Sequence, residues 1–193
     1  FEHVPKDTVH FNIDPYLLLS NGNATVFPQN IINLYTHPGV ENEHLAVMDN
    51  WMRSLILHEF VHIIHLDHAS DYVDYASRVF GTFPKIIPGI APRWFIEGVA
   101  TWAESTFLPS GRLQNRILRR EFLQKMNDPF FCQKIDCMDN PGVHPFYQMG
   151  YWFGAHFLDY IEKQKPNSIK CFVKENSGKL PFSLSRVFET CTG

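Results

Sequence analysis

The sequence predicts an α+β protein in which a small N-terminal sheet lobe packs on a predominantly helical C-terminal lobe. Three observations carry this. Alternating apolar and polar residues of β-branched and aromatic character are confined to the first fifty positions. From Asp49 onward the apolar period lengthens to that of a helix, and Gly, Pro and Asn clusters punctuate the chain between the periodic stretches. The 193 residues suffice for one domain with a buried core and a cleft. The chain therefore reads as a single domain over 1–193, sheet-rich over 1–48 and helical over 49–193.

Taken in order, Val9–Asp14 and Ile31–Thr36 read as strands, with Ser20-Asn21-Gly22-Asn23 and Pro38-Gly39 as turn signals. Asp49 is placed to cap a helix running to Leu66. Its apolar residues Trp51, Leu55, Phe60, Val61, Ile63 and Ile64 cover so much of the circumference that it must lie centrally. Residues 67–91 read as a long connection punctuated by Pro and Gly, with Asp71–Phe80 as a candidate lid. A second helix starts with Pro92 at its first position and runs to about Thr106, before Pro109. Ser110 offers a cap for a third, through Ile117 and Phe122 to Met126, whose arginine-rich face reads as solvated surface. A fourth spans Pro145–Gln164, where Gly150 and Gly154 permit the close approach of another helix. Two short ones follow over Ser168–Glu175 and Ser183–Glu189.

Composition removes several classes of function. With 45% hydrophobic and 19% charged residues the chain is neither disordered nor fibrous. Lys+Arg 17 against Asp+Glu 20 gives a formal charge of -3 without a basic run, which argues against nucleic acid. No apolar stretch is long enough to span a membrane, and no signal peptide is visible. The chain opens on Phe1 directly before a strand-like segment, as a piece of a longer protein would. Cys132, Cys137, Cys171 and Cys191 include no Cys-x-x-Cys pair and suit disulfides in an oxidising compartment, Cys132–Cys137 and Cys171–Cys191 being the simplest pairings.

The chemistry concentrates in His58-Glu59-Phe60-Val61-His62-Ile63-Ile64-His65-Leu66-Asp67-His68. His58 and His62 are four apart, so their imidazoles share one helix face as two ligands of a tetrahedral metal must. Glu59 beside them can take a proton from an attacking water and later deliver it to a leaving amine. Chance produces this motif in roughly 3% of chains of this composition, so it needs a second support. Glu97, Thr101 and Glu104 provide one: they fall at i, i+4 and i+7 on an otherwise apolar helix, where carboxylates are costly unless paired or bound to a cation. Glu97 could ligate, and Glu104 could hold a ligand histidine from behind.

These segments, His58-Glu59-x-x-His62, then Trp94-x-x-Glu97-Gly98-x-Ala100, then Tyr147-Gln148-Met149-Gly150, resemble the gluzincin metallopeptidases, the clan of thermolysin and the zinc aminopeptidases. The likeness covers about Val9 to Phe188 and is strongest to exported bacterial peptidase-like domains, some of which precede a β-propeller. It implies a zincin-like catalytic domain, periplasmic or secreted, acting on a peptide or protein substrate, with a possible C-terminal partner domain. It also implies Zn2+ on His58, His62 and Glu97, Glu59 as base, Tyr147 as oxyanion donor and Glu104 as a carboxylate behind a ligand. Tyr151, one turn on, rivals Tyr147.

Two departures from the family pattern bear on function. The aminopeptidases present a glutamate for the substrate amine in a Gly-x-Met-Glu-Asn strand, whereas the comparable stretch here is Val26-Phe27-Pro28-Gln29-Asn30. Gln29 carries no charge, which favours an endopeptidase-like cleft with substrate backbone paired along the edge near 24–27. The histidine run also imitates the metzincin pattern, with His68 as third ligand, but His65 stands where that pattern has the glycine that lets the chain turn. On the Glu97 reading, His65 and His68 lie behind the ligands or face solvent, His144 is a loop residue and His156 belongs to the core. The expected activity is zinc-dependent peptide hydrolysis; the alternative is a catalytically silent zincin-like module that binds a peptide or partner domain.

Overall fold

The computed structural model describes residues 2–18, 20–37, 50–68, 71–131, 134–139, 148–177 and 184–193. It is α+β, as the patterning predicts: three strands precede seven α-helices among those residues. Strands β1 (His10–Asp14), β2 (Ser20–Thr25) and β3 (Ile31–Thr36) form a sheet in the order β1-β3-β2. Central β3 runs parallel to β1 and antiparallel to β2. Its alternation sets the two faces. Ile32 and Leu34 are buried, whereas Asn33 accepts from the Asn12 amide at 2.9 Å and donates to Asn23 at 2.8 Å, a row of amides across all three strands.

Strand β2 corrects the sequence reading, which made Ser20-Asn21-Gly22-Asn23 a turn. Every residue of Ser20–Thr25 pairs with β3 instead. Low strand propensity for Asn and Gly is overridden here by complete cross-strand pairing and by the packing of Gly22 against the first helix.

Helix α1 (Trp51–Asp67) lies against the sheet, with Leu55 and Ile63 packed among Ile32, Leu34 and Val26. The cap expected at Asp49 falls outside the described residues, and Asn50 enters the helix in a left-handed conformation without a side-chain cap. The connection after α1 is not irregular as expected. It holds α2 (Asp71–Phe80) and a 3-10 helix over Phe83–Ile90, because Val73 and Ala76 give α2 an apolar side to bury and prolines suit the tight turns that follow.

Helix α3 (Arg93–Phe107) begins directly after Pro92 and packs along α5 (Met149–Gln164); the start expected at Pro145 falls outside the described residues. The two backbones touch. A Cβ on Gly98 would lie 2.7 Å from the Gly154 backbone, and one on Gly154 would collide with the Trp94 carbonyl. Helix α4 (Arg116–Met126) starts later than expected. Asn115, not Ser110, caps it by accepting from the Ile117 and Leu118 amides. Residues 110–114 are occupied otherwise, the Leu113 amide donating to Ser105 Oγ at 3.1 Å.

Helices α6 (Ser168–Asn176) and α7 (Leu184–Thr192) complete the helical part and are joined by the Cys171–Cys191 disulfide. The Cys132–Cys137 pairing involves Cys132, outside the described residues. Phe188 of α7 packs against Trp94, Phe157 and Phe172, an aromatic cluster that ties α3, α5, α6 and α7 together within the main core.

Candidate metal centre

Two helices build the site, each contributing residues spaced by about one or two turns. His58 and His62 sit one turn apart on α1, and Glu97 reaches them from α3. The Nε2 atoms of the two histidines and Glu97 Oε2 are each 3.2 Å from the other two. Among the described residues this is the one group of three His, Cys, Asp or Glu side chains whose ligand atoms all lie within 4.8 Å of one another. Tetrahedral ligands with bonds of about 2.0–2.1 Å stand roughly 3.3–3.4 Å apart, so the triangle has the size of three corners of such a site. These residues could hold a metal ion.

The electrostatics point the same way. Burial works against the charge on Glu97, but hydrogen bonds from His58 and His62 hold its carboxyl well below the usual range. Burial and Arg112 work against a charged His58, but hydrogen bonds to Glu104 and Glu97 outweigh them and raise its pKa to about 9. The cluster therefore attracts a cation, and a metal would enter in exchange for a proton.

Behind His58, Glu104 Oε2 lies 3.3 Å from Nδ1, where a carboxylate fixes the ring and its tautomer. Glu104 is fully buried. It pairs with Arg112 Nε at 3.0 Å and accepts from the Arg112 amide at 3.2 Å. Burial opposes its charge, and Arg112 and His58 overcome that to keep its pKa low. His62 Nδ1 is buried without a hydrogen-bond partner among the described residues.

Glu59 sits beside the triangle and is not part of it. Burial raises its pKa, against the pull of His58 and His62. Its neighbour explains the glycine in β2, since a Cβ on Gly22 would fall 2.8 Å from Glu59 Cγ and 3.0 Å from Oε1. A side chain at position 22 would have to displace Glu59 or the strand.

Tyr147 and His144 fall outside the described residues. Tyr151, on α5, stacks on the His58 ring at 6.0 Å, and its hydroxyl accepts from Arg93 Nη2 at 3.2 Å. His65 was expected behind the ligands or in solvent and is neither. It is fully buried edge-on to Phe95, its nitrogens lack hydrogen-bond partners among the described residues, and burial drives its pKa down to about 3, so it is a neutral core residue. His68 turns away from the cluster, its Nδ1 lying 2.6 Å from Ser177 Oγ and its ring edge-on to His3. His156 stacks on Phe122. Gln29 is exposed in the bend that carries the cis Phe27–Pro28 bond.

A hollow of about 460 Å³ opens beside Glu97, lined by Gly89, Ala91, Arg93, Ile96 and Asp139. A second, of about 530 Å³, runs along the arginines of α4 and contains none of these residues. No family model matches the chain, and no curated protein or solved structure matches it either.

Sequence reasoning missed Arg112 and the role of Gly22. Arg112 lies in an irregular turn, where no periodicity marks a residue as inward, and Gly22 has a purpose only through a strand that the sequence did not announce.

Proposed function

We propose that the chain is a zinc-dependent peptidase domain of the gluzincin type, periplasmic or secreted, with an endopeptidase-like cleft. The observation that carries this reading is the triangle of His58, His62 and Glu97 with an additional carboxylate, Glu59, beside it and outside it. Two imidazoles and one carboxylate form a donor set suited to zinc, which when bound supplies a Lewis acid that acidifies water and polarises a carbonyl. Glu59, kept basic by burial, takes the proton of the attacking water and passes it to the leaving amine. Glu104 holds the His58 ring in place while this happens.

Strand β2 supports the endopeptidase-like form. It is the edge of its sheet and lies directly on Glu59, so an extended peptide added to that edge would run past the base. The Cys171–Cys191 disulfide, of a kind that persists in oxidising surroundings, supports that choice of compartment. Among the described residues no helix is long and apolar enough to cross a membrane.

Glu59→Gln is the direct test, on an unstructured protein such as reduced casein, with zinc measured in the same samples. The substitution keeps the shape and removes the base, so turnover should fall by about 10²–10⁴-fold while zinc stays bound. Wild-type turnover in the variant would exclude this mechanism. Zinc binding without hydrolysis by the unaltered protein would leave the silent peptide-binding module as the better reading.

A further inference from the structure

We infer that the outer face of α4 is a docking surface for an anionic lipid layer. It stands apart from the metal centre and does not depend on the peptidase reading. Helix α4 divides its residues by period. Leu118 is buried and Phe122 and Met126 pack on the main core, whereas Arg116, Arg119, Arg120, Leu123, Gln124 and Asn127, at i, i+3, i+4, i+7, i+8 and i+11, line the hollow of about 530 Å³ on the other face. Three guanidiniums at these spacings repel one another and cost the helix stability. None of them has an ion-pair or hydrogen-bond partner among the described residues. Lys125, on the inner side, is by contrast paired with Glu121 at 2.7 Å and lies 4.8 Å over the Trp152 ring.

Charge complementarity fixes the sign of the partner. No residue lining the hollow is acidic, although the chain as a whole carries a formal charge of -3. The apolar residues fix its kind. Leu123 is 50% exposed among the arginines, Ile117 is 62% exposed at the flank of the stripe, and Phe130, just beyond the end of the helix, is 90% exposed. A headgroup layer offers phosphates that move laterally to meet each guanidinium, above an acyl boundary that takes up leucine, isoleucine and phenylalanine. A partner with fixed charges and no apolar layer would engage the arginines and leave those three side chains in water. Helix α4 is also firmly joined to the metal centre: Asn115 caps it, and the turn before it is held by Arg112 on Glu104 and by the Leu113 amide on Ser105 Oγ. Docking through α4 therefore fixes where that centre stands relative to a membrane.

The test is vesicle sedimentation with the whole chain. Phosphatidylcholine vesicles with about one-third phosphatidylglycerol should bind it at low salt and release it at high salt, and vesicles of phosphatidylcholine alone should bind it far less. Arg116→Gln, Arg119→Gln and Arg120→Gln should each lower the partition coefficient by about fivefold and together by about 100-fold. Arg116→Lys, Arg119→Lys and Arg120→Lys combined should keep most of the binding, because a mobile headgroup layer responds to charge more than to the guanidinium fork. Leu123→Ala should weaken it several-fold. Arg78→Gln removes an exposed arginine of α2 that is paired with Asp74, and as the control for net charge it should change nothing. Far-UV circular dichroism and zinc content should be unaltered throughout, since the three arginines touch neither the core nor the ligands. Equal binding of the two vesicle types by the unaltered protein, or full binding by the triple glutamine variant, would overturn the docking surface. So would capture of poly-glutamate through these arginines by a protein that ignores the vesicles.

Discussion

Helix α1 presents two buried carboxylate clusters, one around Glu97 near its middle and one around Asp67 at its end, and they are neutralised in opposite ways. Asp67 is satisfied by the chain itself: Lys85 Nζ lies 2.7 Å from Oδ1, His3 Nε2 lies 3.0 Å from Oδ2, and the Lys6 amide donates to Oδ2 at 3.4 Å. Lys85 also bonds Asp7, so the cluster fastens the N-terminal segment and the 3-10 helix to α1. Glu97 instead faces two imidazole nitrogens that also face each other, with Arg93 beyond hydrogen-bond reach of its carboxylate. A buried carboxylate that owns an ammonium is a structural tie. One that shares two histidine nitrogens, with its nearest guanidinium 3.9 Å away, is a place where a cation from solution can take over from a proton.

Exchanging the roles of the two clusters by mutation breaks or sharpens this contrast. The largest effect is expected of Glu97→Ala, which removes the only carboxylate ligand and should weaken zinc by more than about 100-fold after dialysis, whereas His68→Ala should leave zinc content unchanged. Loss of zinc in His68→Ala together with retention in Glu97→Ala would move the centre to the histidine run.

Glu104→Ala comes next. It leaves the ligands intact and releases the His58 ring, so zinc affinity should fall by about 10–100-fold. Titration against a chelator reads this, and an unchanged constant would reduce Glu104 to a partner of Arg112.

Asp67→Asn should do the opposite of Glu97→Ala, leaving zinc in place and lowering stability by about 2 kcal/mol at neutral pH. Burial opposes the charge of Asp67, but Lys85 and His3 outweigh it and depress the pKa below its ordinary 3.8. The stabilisation is therefore complete above pH 3.8 and disappears as pH falls through the lower folded value. Urea midpoints of the two proteins should converge only in that acid range, and a constant difference down to the lowest pH would detach Asp67 from the acid transition.

What was legible in the sequence was what obeys a helical period. His58 with His62, and Glu97 with Glu104, are spaced so that one straight helix puts each pair on one face, and the structure brings the four together from α1 and α3. Strand β3 was readable for the same reason at period two, as were the glycines of α5. Arg112 and Lys85 were not, because each reaches its carboxylate by tertiary folding of an irregular or tightly wound segment. Strand β2 was hidden by its own composition, and α2 by the prolines and glycines that follow it. His65 misled in a different way: a histidine beside ligands invites a polar role, yet its place on the helix turns it into apolar packing against Phe95.

The crossing of Gly98 and Gly154 gives the site a gauge block made of hydrogen atoms. Helix α3 carries Arg93, Glu97 and Glu104, α5 carries Tyr151, and the spacing between them is set by backbone against backbone rather than by side chains that can repack. Elsewhere in the aromatic core an altered side chain can be absorbed by its neighbours. At the crossing there is nothing to yield, so a single methyl in Gly154→Ala must pry the two helices apart and part Tyr151 from Arg93. Zinc affinity and unfolding temperature of that variant, both expected to drop, measure how far the tolerance of the centre is fixed by two residues that have no functional group.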